Sequence, residues 1–223
     1  MNKNLAAEAS MKYILGLILF ALLTFIPAGT LHYPQGWLLM AILFIPMLGI
    51  GIFLLARNPQ LLRKRLNDKE TQSEQKKVVL LSMVMFLAVF ILAGFNVRFG
   101  WYILPMWVSW TAAVIFLTAY LMYAEVVREN EYLSRVVEVQ EHQKVIDTGL
   151  YGIVRHPMYA STVILFLMMP LVLGSIASFI AALMYLPIIN RRMRNEEEVL
   201  EQGLEGYPEY KKKVRYKVIP YIW

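Results

Sequence analysis

Cysteine is absent from the 223-residue chain, which excludes disulfides, thiolate metal sites and a cysteine nucleophile. Charge is scarce too: Asp, Glu, Lys and Arg make up 17% of residues, below the quarter usual in soluble domains. Histidine occurs only three times. No charged side chain interrupts residues 13–56, 78–97 or 99–124. The chain also lacks a low-complexity tract and the internal repeat that marks the inverted halves of many transporters.

What fills these gaps is hydrocarbon. Hydrophobic residues are 58% of the chain, the mean hydropathy is +0.51, and a bilayer core of about 30 Å needs roughly 20 apolar residues per helix. The composition therefore predicts an all-α, multi-pass transmembrane bundle. The first apolar run is too long for one helix and breaks at Pro27, Gly29, Pro34 and Gly36. Its length, and the want of a small-residue cleavage site, argue against a signal peptide. Four spans are expected at residues 12–28, 36–56, 78–95 and 101–123, with Trp37, Trp101 and Trp107 at their outer ends, where amphipathic rings prefer the interface.

The net charge of +6 reports topology, not nucleic acid. Seven basic residues lie between Arg57 and Lys77 and eight between Arg191 and Lys217, and Arg128, Arg135, Lys144 and Arg155 follow the fourth span. By the positive-inside rule these segments and both termini are cytoplasmic, with membrane lipids as their ordinary partner. Residues 57–77 read as a cytoplasmic connector, in which Asn58 followed by Pro59 caps a short helix.

Residues 160–189 are apolar again, divided at Gly174 and Ser175. Basic segments flank this run on both sides, so an even number of crossings is required. A hairpin of two short helices satisfies that, giving about six spans in all. Arms this short leave a cavity at one face, where ionisable groups are tolerated. One membrane domain over residues 1–223 is expected, with four spans in 1–124 and a cofactor-binding region in 125–223.

Polar chemistry is gathered beside the hairpin. In "TGLYGIVRHPMYAS", residues 148–161, Gly149 and Gly152 permit tight turns, and Pro157 suits the first turn of a helix beginning just after His156. The unpaired N–H groups of that turn, with Arg155 and His156, form an anion site. In "RRMRNEEEVL", residues 191–200, Arg192 and Glu196 are four apart and share a helix face, while Glu197 is turned by about 100°. A returning hairpin brings that face beside His156. Such a site suits a zwitterion: N–H groups and a cation for a carboxylate, a carboxylate for hydroxyls or an amine, and aromatic rings for a flat base or a sulfonium.

"TGLYGIVRHPMY", then "RMRNEEEVL" and "GYPEYKKKVR", resemble the isoprenylcysteine carboxyl methyltransferase and phospholipid methyltransferase family of integral membrane enzymes. The likeness covers residues 139–220. It implies a cytoplasmic-face pocket for S-adenosylmethionine, released as S-adenosylhomocysteine, using Gln140, Val145, Ile146, Tyr151, His156, Pro157, Met158, Tyr159 and Glu196. Arg192 stands where the family faces the methyl acceptor, a lipophilic molecule drawn from the bilayer. No metal and no nucleic acid are implied.

An ionised acceptor carboxylate needs no base, whereas an amine must lose a proton, for which Glu197 is the candidate. Two departures stand out. The family often has a histidine where Gln143 and Lys144 occur, with His142 displaced by one, and often a glycine where Ala160 and Ser161 follow Tyr159. The second implies tighter helix packing.

Membrane sterol-type reductases, which bind a nicotinamide dinucleotide phosphate, look similar in the same elements. A dinucleotide needs a longer and more basic groove than these residues offer. A transporter or lipid-binding scaffold is the third reading, disfavoured because no charge lies at the middle of an expected span.

Overall fold

Proline and glycine set the ends of the helices. In the computed structural model, which describes residues 2–66, 73–133 and 137–223, α1 (Asn2–Ala28) stops at Gly29, whose φ of +68° and N–H bonds to the Phe25 and Ile26 carbonyls turn the chain. Pro34 restarts it as the first residue of α2 (Pro34–Arg57). Asn58 then caps α3 (Pro59–Leu66), its Oδ1 accepting from the Leu61 N–H at 3.0 Å. The short connector helix is therefore present. Residues 67–72, the middle of that connector, and Arg135 lie outside the described residues.

The third and fourth spans are α4 (Ser73–Arg98) and α5 (Met106–Glu129). Both α1 and α4 begin well before their apolar stretches, because a helix need not stop where the bilayer does. The fourth span starts five residues later than the sequence suggests. Pro105 has no N–H and disfavours helical backbone at Leu104, and residues 101–105 instead run beside the hairpin tip, with the Leu104 N–H on the Gly174 carbonyl at 2.9 Å.

The run from 157 onward is a hairpin and not a single kinked span. Helix α6 (Pro157–Val172) rises from the face that carries both termini, Gly174 reverses the chain at φ +74°, and α7 (Ile176–Ala182) and α8 (Tyr185–Gly203) bring it back. Sixteen residues of α6 extend about 24 Å, short of the hydrocarbon thickness. Only α1, α2, α4 and α5, among the described helices, are long and apolar enough to cross by themselves. The tip of the hairpin is tied to longer neighbours: Tyr33 donates to the Leu173 carbonyl at 2.6 Å and Ser178 to the Val89 carbonyl at 2.9 Å.

Small residues bring α5 close to α6. Ser109, Ala112, Ala113 and Ala119 are buried on α5, and Ala160, Ser161 and Val163 on α6, an arrangement that favours helix packing in lipid, where apolar burial alone drives little. Phe20, Phe44, Phe86 and Phe90 meet edge-on or tilted between α1, α2 and α4. Outward, Ile45 and Leu121 are more than 70% exposed, as lipid-facing side chains are. Trp37, Trp101 and Trp107 are likewise exposed, at the ends remote from the termini. The chain is an integral membrane protein.

Gly94 marks the tightest helix crossing, since a Cβ there would overlap Pro27 and come within 2.7 Å of the Ala28 nitrogen. Gly94→Val should destabilise the protein by about 2 kcal/mol, read as a lower melting temperature in detergent; an unchanged melting temperature would contradict this packing.

Candidate functional site

Leaving α5, the chain needs a new partner for its backbone, and Asn130 supplies the first. Its side chain accepts from the Tyr132 N–H at 2.9 Å and donates to the Tyr151 hydroxyl at 2.8 Å, pinning a 3₁₀ turn at Gly149–Gly152. Gly149 is required there: φ is +48°, and a Cβ would overlap the Glu129 carboxylate. Thr148 donates to that carboxylate at 2.8 Å.

His156 is the N-cap of α6, with Pro157 in its first turn, as the dipeptide suggests. The N–H groups of Arg155 and His156 donate to the carbonyls of Tyr216 (2.9 Å) and Lys217 (2.8 Å), so the segment after α9 (Tyr207–Lys213) runs behind the mouth of α6. The Arg155 guanidinium adds bonds to the carbonyls of Val214 (2.8 Å) and Arg215 (2.7 Å). Arg155 is buried and holds the fold together here, besides lining the mouth.

Glu197 receives the remaining donors. Arg155 Nε lies 2.9 Å from Oε1, His156 Nε2 3.1 Å from the same oxygen, and Lys217 Nζ 2.9 Å from Oε2, with all but 4% of the residue buried. Burial pushes this carboxyl's pKa up, but the hydrogen bonds from His156 and Lys217 and the adjacent charges outweigh it, leaving Glu197 well below the usual carboxylate range. An ionised Glu197 only accepts, so His156 Nε2 carries a hydrogen and donates to it.

One turn away, Tyr159 donates to Glu196 Oε2 (2.5 Å) and accepts from Arg192 Nε (3.0 Å). The two helix stretches thus meet, through the Tyr159–Glu196–Arg192 chain on one side and the His156–Glu197 contact on the other. Between them and the loop after α5 lies an open cavity. Of the residues expected from the sequence, Val145, Ile146, Tyr151, His156, Met158, Tyr159, Arg192 and Glu196 line it.

Three expected residues do not. Gln140 braces the loop, its side chain on the Tyr132 carbonyl; Pro157 is buried at the start of α6; and Glu197 stands behind the wall. The base role expected for Glu197 does not fit this position, because its oxygens are occupied by cationic donors and its affinity for a proton is low.

Asn130, Gln143, Lys144, Leu200, Leu204, Tyr207 and Tyr210 also line the cavity. Leu200 and Leu204 continue the spacing of four begun by Arg192 and Glu196, a signal readable from sequence; Asn130 carries none. His142, by contrast, is fully exposed. Ser161 turns its hydroxyl to the Pro157 and Met158 carbonyls and is fully buried.

The fold and site define a polytopic helical membrane protein whose cavity joins the mouth of α6 to the returning arm α8. The family model of the isoprenylcysteine carboxyl methyltransferase (ICMT) family matches residues 108–202, from α5 into α8, and over this segment the chain is similar to that family. The fold agrees with a solved eukaryotic intramembrane Ras methyltransferase, ICMT, at a TM-score of 0.52 and 14% identity, covering 96% of this chain and 85% of that one. A curated relative, Delta(14)-sterol reductase TM7SF2 of Mus musculus, is 29% identical over 84 residues, 36% of this chain and 20% of that protein. The chain therefore matches about a fifth of that relative's length.

Because its pKa is depressed on folding, Glu197 contributes stability that is complete above the ordinary carboxylate range and is lost as pH falls below it. Glu197→Gln should cost about 3 kcal/mol at neutral pH and flatten the acid limb of the stability profile. Equal acid sensitivity in variant and parent would show that the cluster does not carry this load.

Proposed function

We propose that this protein is an S-adenosylmethionine-dependent methyltransferase whose acceptor is a lipophilic, ionised molecule of the membrane. The observation that supports this most is the hydrogen-bonded chain Arg192–Tyr159–Glu196 beside the mouth of α6, in a cavity that His156 and Tyr151 also line. The bound donor supplies an electrophilic methyl group that leaves its sulfur in an in-line displacement. The protein's contribution is alignment and exclusion of water.

The donor set fits a zwitterionic nucleoside. First-turn amides of Met158 and Tyr159 have no intrahelical acceptor and would receive a carboxylate of the ligand, Glu196 would offer oxygens to an amine or to hydroxyls, and the rings of Tyr151 and Tyr159 suit a flat base or a sulfonium. Arg192 is positioned to hold the acceptor's carboxylate at the membrane side.

With Glu197 locked among cations, an acceptor that is already ionised needs nothing further from this site. An isoprenylcysteine-type carboxylate meets that condition directly. The curated relative favours one other reading, a reductase using NADPH in the same pocket. The positive-inside charge pattern puts both termini and the cavity's mouth in the cytoplasm.

Purified protein should bind S-adenosylhomocysteine in calorimetry, and His156→Ala or Glu196→Ala should weaken binding at least tenfold, about 1.4 kcal/mol. Stabilisation by NADPH with no response to S-adenosylmethionine would transfer the site to the reductase reading. Labelled donor incubated with membrane extract should pass its methyl group to a lipid-soluble carboxylate, leaving a base-labile ester. The cysteine-free chain also permits a direct topology test: a maleimide applied from the cytoplasmic side should label Glu209→Cys and spare Thr30→Cys, and the reverse pattern would invert the orientation.

A further inference from the structure

Five tyrosines line the cavity: Tyr132, Tyr151, Tyr159, Tyr207 and Tyr210. Four have partners within the protein. Tyr132 donates to the His142 carbonyl at 3.3 Å, Tyr151 receives Asn130, Tyr159 bridges Glu196 and Arg192, and Tyr210 donates to the Tyr151 carbonyl at 2.8 Å. Tyr207 is the exception. Only 4% of the residue is exposed, and its buried hydroxyl has no hydrogen-bond partner among the described residues.

A buried phenol without a partner is unfavourable in the empty protein, and phenylalanine would fill the same space without that cost. The position is nonetheless built with care. Gly206, at φ +83°, turns the chain so that Tyr207 starts α9 against the cavity, and its ring packs with Leu204, Tyr210 and Val214 beside Val139, Val145 and Leu200. Those aliphatic walls suit the faces of a planar ring, and the hydroxyl stands near enough to Glu196, Glu197 and Arg155 to feel their charges.

We infer that the Tyr207 hydroxyl is a ligand contact, a hydrogen-bond donor to the nucleoside part of the molecule that occupies the cavity. The inference rests on the reading of this cavity as a nucleoside-cofactor site and adds a residue to it. Burial, together with the charges of Glu197 and Glu196, holds the hydroxyl protonated far above neutral pH, so the matching ligand atom is an acceptor, a ring nitrogen or a ribose oxygen.

The test compares Tyr207→Phe and Tyr210→Phe with the parent protein by thermal melting without ligand and by calorimetric titration with S-adenosylhomocysteine and with 5′-methylthioadenosine, a nucleoside lacking the amino-acid portion. Tyr207→Phe should melt at the parent temperature or above and bind both compounds about tenfold more weakly. Tyr210→Phe, which strips a bond from the Tyr151 carbonyl, should melt lower.

Equal affinity in Tyr207→Phe overturns the contact, and a loss confined to S-adenosylhomocysteine overturns its assignment to the nucleoside. A variant that melts lower or fails to accumulate in membranes also counts against it, since a hydroxyl without partners has no native bond to lose. Should the parent protein bind neither compound, the cofactor reading itself fails, an outcome distinct from a parent that binds and a variant that binds equally well.

Discussion

A carboxylate nearly without water, held by an arginine, a histidine and a lysine from two other stretches of chain, is the constraint from which the site follows. Taking an ion out of water is costly unless its neighbours replace the solvent. Glu197 meets that demand on α8, Arg155 and His156 at the start of α6, and Lys217 beyond α9. Removing any one would leave the others with unbalanced charge in a poorly hydrated place, so the cluster has one good arrangement. That arrangement places the His156 imidazole, the first turn of α6 and the Arg192–Glu196 face around a common space.

The hairpin makes this closure possible. Because α6 is short and its return is split into α7 and α8, the returning arm leaves the apolar layer early and extends as a polar helix beside the mouth of α6. The bonds at the tip, from Tyr33 and Ser178, fix how far the hairpin reaches in, and so fix the register of Glu196 and Glu197 against Tyr159 and His156. Membrane packing at one end thereby sets side-chain geometry at the other.

Much of this could be read before any coordinates. Uncharged stretches located four spans, proline and glycine located their breaks, and the charge on both flanks of residues 160–189 required a return. The spacing of Arg192 and Glu196 gave a shared face, and the dipeptide His156–Pro157 gave a helix start. What stayed hidden were facts of depth. Adjacent glutamates 196 and 197 look alike in a string of letters, and only the position of α8 decides that one faces the cavity while the other is sealed behind it. The partner of Tyr151, Asn130, and the absence of one for the Tyr207 hydroxyl among the described residues depend on loops whose path no periodicity encodes. Pro105 is the one letter in the apolar run around it that marks the late start of the fourth helix.

The strap of residues 214–217 across the start of α6 has a bearing on biosynthesis. The four long helices can enter the bilayer one after another as they leave the ribosome, yet Arg155 and His156 must wait, their amides unpaired, until some sixty further residues have been translated. Membrane insertion and completion of the pocket are thus separated in time, and a chain interrupted before Lys217 would be anchored in lipid with its working centre still open.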